Sequence, residues 1–237
     1  MSGRSVAWLA RLVRVQEVVS SNLTAPTIFQ IYDLRLQNRM ADQNHLLVQL
    51  SSIVERLNLG ELFSKARPLE VELGCGDASF LVEYARRNPE RNFIGIERLL
   101  GRIKKLDRKG RRAGLANLRG VRIESSYFLQ YLLPPRSAAA LHVYFPDPWP
   151  KQKHRKHRLI GDCFPALARA ALAPGGVVYL RTDDADYFRQ MTEVFGASGE
   201  FQKVETPVEL AELSTDFERE FNAKGIKTLR AAYQLKL

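Results

Sequence analysis

One carboxylate stands out for its setting. Asp147 is locked between Pro146 and Pro148, with Trp149 and Pro150 next along the chain. Residues 138–145 before it form an apolar run that reads as a buried strand. Lys151, Lys153, Arg155, Lys156 and Arg158 follow, interleaved with His154 and His157: five cations and two histidines in eight residues. In open α/β sheets ligands bind beyond the carboxyl ends of strands. A rigid acidic and aromatic corner beside a phosphate-binding surface points to an enzyme acting on a nucleic acid.

A second group lies in the run from Val71 to Ser79. Gly74 and Gly76 follow a short β-like run and open a helix, and glycine lets backbone approach a ligand closely. A dinucleotide fingerprint wants a third glycine where this chain has Ser79. Glu72, two residues before Gly74, would hinder a pyrophosphate but suit a cationic ligand such as S-adenosylmethionine. Glu97, about 20 residues beyond the loop, falls where ribose hydroxyls are bound.

The elements that must position these groups alternate. Strands are expected over residues 69–73, 92–97, 118–123, 138–145, 176–181, 201–204 and 228–235. Helices are expected over 45–57, 78–87, 99–114, 127–133, 159–172 and 184–195. This alternation implies a mostly parallel sheet covered on both faces, in one domain from about residue 40 to 237. The basic run from Arg102 to Arg112 reads first as a solvated helix face and second as an RNA contact. Thr215 and Glu218 have the spacing of a capping box. Asp183 is placed either to cap a helix or to serve the site.

Composition narrows the partners. The chain has 237 residues and a net charge of +10, which favours polyanions. The two cysteines, Cys75 and Cys163, fit no metal or redox spacing and suit a reducing compartment. No apolar run approaches the length of a membrane span. Residues 1–39 hold five arginines against two acids and admit three readings: a transit peptide, a basic arm touching RNA, or a mis-assigned start. On the last, Ser20-Ser21-Asn22-Leu23 can be encoded by a stretch containing the T-arm sequence of a tRNA gene, with translation beginning at Met40. Removing those charges from +10 leaves about +7.

An acid-Pro-Pro-aromatic motif is typical of enzymes that methylate exocyclic amines, but here the second proline is displaced. From about Leu69 onward the chain resembles the bacterial tRNA (guanine-N7-)-methyltransferase family. The pattern F-P-D-P-W-x-K-x-x-H-x-K-x-R is matched from Phe145 to Arg158. The acidic G-x-G loop, Thr182-Asp183 and the T-x-F-E of Thr215 to Glu218 match in order. The resemblance implies a Rossmann-like class I methyltransferase fold with seven strands, S-adenosylmethionine as methyl donor, and the guanine N7 of the tRNA variable loop as acceptor. It assigns Glu72, Gly74, Gly76, Glu97 and Asp147 to the cofactor, and Asp147 also to catalysis. Lys151, Asp183, Thr215, Asp216, Phe217 and Glu218 fall to the substrate. Where the family usually has an acid or amide after the third strand this chain has Ser125, beside Glu124; either would take over the adenine-end contact. Trp149 or Tyr144 is expected to stack on the base, and the cations of residues 151–158 to hold phosphate. No metal and no obligate protein partner are expected, and the setting is cytoplasmic. An exocyclic-amine RNA or DNA methyltransferase and a non-catalytic RNA-binding relative are the competing readings.

Overall fold

The computed structural model describes residues 45–237, a compact unit from His45 to Leu237. The expectations for residues 1–39 lie outside the described residues.

Seven strands form one sheet: β1 (Leu69–Leu73), β2 (Asn92–Ile96), β3 (Leu118–Val121), β4 (Ala138–Tyr144), β5 (Leu172–Thr182), β6 (Phe201–Val204) and β7 (Leu229–Leu235). Their spatial order is β3-β2-β1-β4-β5-β7-β6. β1 to β5 pair in parallel, and β7 runs antiparallel to both β5 and β6. β1 and β2 are buried along their whole length, as a sheet covered on both faces requires. The chain winds outward from β1 through β2 to β3, then returns to place β4 on the other side of β1. The crevice at this reversal is where an open sheet binds its ligand.

Among the described residues five helices of eight or more residues flank the sheet: α1 (Ser79–Arg87), α2 (Leu100–Arg112), α3 (Phe164–Ala171), α4 (Ala185–Ala197) and α5 (Asp216–Ala223). α2 shows why such a charged sequence folds against a core. Ile103, Leu106 and Gly110 recur at helical spacing and are buried, while all its cations but Lys109 are exposed. A Cβ on Gly110 would meet Leu46 Cδ1 at 2.4 Å, so the position admits no larger residue without repacking.

Two expected helices need correction. Residues 45–57 are not helical. The Val48 N–H donates to Gly120 O at 2.8 Å and the Gly120 N–H to Leu46 O at 2.8 Å, so the segment runs extended along the edge of β3. The helix expected over 159–172 begins only at Phe164 and ends at Ala171, with Pro165 in its first turn, where a missing N–H costs nothing. The Ile160 N–H instead donates to the Tyr187 hydroxyl at 2.9 Å. β5 accordingly starts earlier than expected, at Leu172, with a register shift against β4 between Ala138 and Ala140.

Candidate active site

A cavity of about 470 Å³ opens at the carboxyl ends of β1 to β4. Its walls include Gly74, Glu97, Ser125, Asp147 and Trp149. The fold thus brings Gly74, Glu97, Ser125 and the proline-rich corner, far apart in sequence, to one crevice. Glu72 is on β1 beside the lining residue Leu73, and Lys151 follows the corner in sequence; neither lines the cavity itself.

The glycine loop turns through left-handed backbone. Gly74, Gly76 and Ala78 have φ of 82°, 55° and 59°. The N–H groups of Gly74 and Cys75 donate to Ile96 O at 2.9 and 2.8 Å, binding the loop to the end of β2. Glu72 is buried, and its Oε2 has no hydrogen-bond partner among the described residues. Burial pushes its carboxyl up to about 8, opposed by Arg181 and reinforced by Asp77 and Glu97. An orphaned acceptor in a buried site implies a donor or cation still to come. Glu97 is buried too; its Oε1 accepts the Leu99 N–H at 2.7 Å. These groups fit the methionine and ribose portions of a sulfonium donor. Glu124 caps the turn after β3, each oxygen accepting one backbone N–H, from Ser126 at 2.9 Å and Tyr127 at 2.8 Å.

The corner is held in strain. Phe145 and Trp149 flank Asp147 with φ of 48° and 43°. Such conformations cost of order 1–3 kcal/mol each in a bulky residue and persist only where the surroundings enforce them. The Phe145 N–H donates to Arg181 O at 2.8 Å, and its ring meets Phe221 at 5.9 Å and Phe217 at 6.5 Å. Arg158 enforces the other side. Its side chain is buried, donating to Pro148 O at 2.7 Å, Gln190 Oε1 at 2.6 Å and Asp186 Oδ2 at 2.8 Å, with its guanidinium 4.7 Å from the Tyr187 ring centre. Arg158 is therefore a bolt between the corner and α4, and the expectation that it holds phosphate is corrected. Arg155 also pairs with Asp186, at 2.9 Å. Lys151, Lys153 and Lys156 remain exposed. Of the two aromatics expected to stack on a base, Tyr144 is corrected. Its ring is buried beneath the Arg181 guanidinium at 4.3 Å, and its hydroxyl bonds His142 Nδ1 at 2.8 Å. Trp149 is 37% exposed, with His154 and His157 against its ring.

The helix after β5 is capped by Asp184, which accepts the Tyr187 N–H at 2.7 Å. Asp183 is thereby left free of the capping role. The capping box at the start of α5 forms as its spacing predicts: Thr215 Oγ1 accepts the Glu218 N–H at 3.0 Å and Glu218 Oε2 accepts the Thr215 N–H at 3.4 Å. Glu218 is fully buried and ion-paired to Arg181 at 2.9 Å and to Arg230. Phe217 is 47% exposed, and Asp216 accepts from the Ser79 hydroxyl at the head of α1. The late motif thus touches the end of the glycine loop directly. The sequence reading missed Arg181, though a lone arginine in the apolar run of β5 signals a buried acid elsewhere. Among the described residues no group of three or more His, Cys, Asp or Glu side chains could hold a metal ion, and no helix is long and apolar enough to cross a membrane.

Comparison with known proteins bears on the fold and the family. The family described as "Putative methyltransferase" matches residues 66–232. The tRNA (guanine-N(7)-)-methyltransferase of Rubrobacter xylanophilus is 34% identical over 217 residues, covering 90% of this chain and 92% of the relative. That of Halorhodospira halophila is 33% identical, covering 76% of this chain and 80% of the relative. The crystal structure of the 16S rRNA methyltransferase KamB superposes with a TM-score of 0.55 at 17% identity, covering 81% of this chain and 99% of that one. The last likeness shows a shared fold, that of Rossmann-like class I methyltransferases. The length and coverage of the sequence matches show more: the chain belongs to the tRNA (guanine-N(7)-)-methyltransferase family.

Proposed function

We propose that the protein transfers a methyl group from S-adenosylmethionine to N7 of a guanine in the tRNA variable loop. The observation that carries this is Asp147, exposed in a strained corner at the wall of the switch-point cavity, with unpaired lysines beside it. The activity in the names of the relatives supports it. When bound, S-adenosylmethionine supplies an electrophilic methyl group on a sulfonium.

Glu72, with its orphaned buried oxygen, would receive the donor's positive charge, and Glu97 its ribose. Gly74 and Gly76 let the backbone pass close. Ser125 takes the adenine end, because both oxygens of Glu124 are already committed to its cap. Guanine N7 carries a lone pair and no proton, so the acceptor needs no base, and positioning does most of the work. Asp147 orients the guanine through its N1 and N2 hydrogens and stabilises the positive charge that develops on the purine. N7 lies in the deep groove of A-form RNA, so the base must be presented out of the helix. Trp149 offers it an exposed face. Lys151, Asp183, Asp216 and Phe217 contact the RNA, while Thr215 and Glu218 fix the start of α5 from beneath. The working unit is this chain alone, in the cytoplasm.

The experiment is to incubate the purified protein with unmodified tRNA and S-adenosylmethionine, then identify the nucleosides by mass spectrometry. 7-Methylguanosine from the variable loop is expected. A methyl group on an exocyclic amine would replace this assignment, and no transfer despite binding of both ligands would make the protein a non-catalytic relative.

A further inference from the structure

Several groups of cations elsewhere on the described surface share an acidic partner. Arg86 and Arg87 share Glu83, and Arg155, Arg158 and Arg189 share Asp186. On α2 most cations have none among the described residues. Its one acid, Asp107, is buried and bonded to the Leu46 N–H, and only Arg111 approaches it from the helix, at 3.7 Å. Lys109 turns back to Asp77 at 2.7 Å. Arg102, Lys104, Lys105, Arg108 and Arg112 form no ion pair among the described residues and are exposed. With 3.6 residues per turn, Lys105, Arg108 and Arg112 fall at the centre of the face opposite Ile103, Leu106 and Gly110. Like charges three and four residues apart repel. A row that repels itself and neutralises nothing suits a partner carrying negative charge at regular spacing.

Position adds to pattern. Arg98 and Arg102, at the N-terminal end of α2, line the cavity. From Arg102 to Arg112 the helix rises about 15 Å away from it. A nucleic-acid strand whose base is in the cavity meets this row next. We infer that the outer face of α2, centred on Lys105, Arg108 and Arg112, is a docking surface for the tRNA phosphate backbone. This rests on the RNA-methylation reading, and extends the contact beyond the corner motif to a helix that otherwise serves only the cofactor side of the fold.

The test is tRNA affinity as a function of salt, measured by filter binding from about 50 to 200 mM, for the wild type and for Lys105→Ala/Arg108→Ala/Arg112→Ala. Each lost phosphate contact lowers the slope of log affinity against log salt by about 0.7–0.9, so a fall of about 2 is expected, with affinity at fixed salt weaker roughly tenfold or more. Affinity for S-adenosylmethionine and kcat at saturating tRNA should hold. Arg86→Ala/Arg87→Ala, which removes paired cations, should leave slope and affinity near wild type. The charge-keeping set Lys105→Arg/Arg108→Lys/Arg112→Lys should restore the slope. An unchanged slope in the triple alanine variant, or failure of the charge-keeping set to restore it, overturns the assignment. Wild-type turnover reports separately on the methylation reading: a reduced slope without methyl transfer by the wild type would keep the docking surface and sink the reaction.

Discussion

Two carboxylates divide the chemistry because their surroundings differ. Asp147 is exposed, on a loop that cannot relax, so its charge is available to a purine that becomes positive during the reaction. Asp147→Ala is expected to lower kcat by roughly 10²–10³, as loss of a preorganised electrostatic partner does, with tRNA affinity nearly unchanged. Equal turnover in that variant, measured with saturating tRNA, would remove Asp147 from the mechanism. Glu72 is the opposite case. Burial raises its carboxyl from the ordinary 4.5 to about 8, so it holds a proton at pH 7 in the free protein. The folded state then binds that proton more tightly than the unfolded chain, and stability should fall as pH rises from about 4.5 to 8. A cation bound against Glu72 reverses the preference and expels the proton. Titration calorimetry at pH 7 in buffers of different ionisation heat should therefore show close to one proton released per S-adenosylmethionine bound, and none with Glu72→Gln. Wild-type binding without proton release would mean Glu72 stays neutral and serves only as a hydrogen-bonding partner.

Between elements, buried polar side chains do what backbone pairing cannot. Arg91 bonds Glu70 at 2.5 Å, Glu70 bonds His142 Nε2 at 2.7 Å, and His142 Nδ1 meets the Tyr144 hydroxyl at 2.8 Å. Above Tyr144 lies Arg181, which reaches across to Glu218 on α5. The chain of contacts links β1, β4, β5 and α5 beneath the cavity. Burial works to raise the Glu70 carboxyl, but His142 and Arg91 together hold it below its ordinary 4.5. Its contribution to stability is therefore present above pH 4.5 and lost as pH falls. His142→Phe should cost about 3 kcal/mol and flatten the acid limb of the stability curve, read from urea melts between pH 3 and 7; a variant as stable as wild type would deny the chain any structural role. Arg158→Met should cost about 2–3 kcal/mol in the same melts through its lost charge-assisted bonds, and lower kcat more than S-adenosylmethionine affinity, because it frees the corner at Pro148. These side chains also mark where sequence reading fails. All seven strands were legible from apolar runs and flanking turn residues, and the Thr215 capping box from its spacing. Residues 45–57 were not, because their apolar spacing fits a helix equally well and only the open edge of β3 decides between the two. Arg158 reads as one more cation in a basic run; what buries it, Asp186 and Gln190, lies on a helix that follows an entire intervening strand.

For the whole molecule, the question is how its positive charge is distributed, since charge more than shape decides where a polyanion settles. Every residue lining the cavity falls between Leu73 and Leu159, and the unpaired cations of α2 lie within the same stretch. A chain starting at Met40 keeps all of these and about +7 of the +10 net charge. We expect such a chain to fold, to methylate tRNA with the wild-type KM, and to show the same salt slope for tRNA binding. If residues 1–39 are instead an arm that grips RNA, their five arginines give the full-length chain the steeper slope, by about 0.7–0.9 for each phosphate held. The two outcomes differ by several units in one plot, well beyond the scatter of binding measurements. A matching slope would place the whole of the tRNA interface on residues 40–237. Peptide mass spectrometry of the natural protein then decides what the segment is: peptides upstream of Met40 would show that it is translated, and would leave a targeting role as the reading that remains.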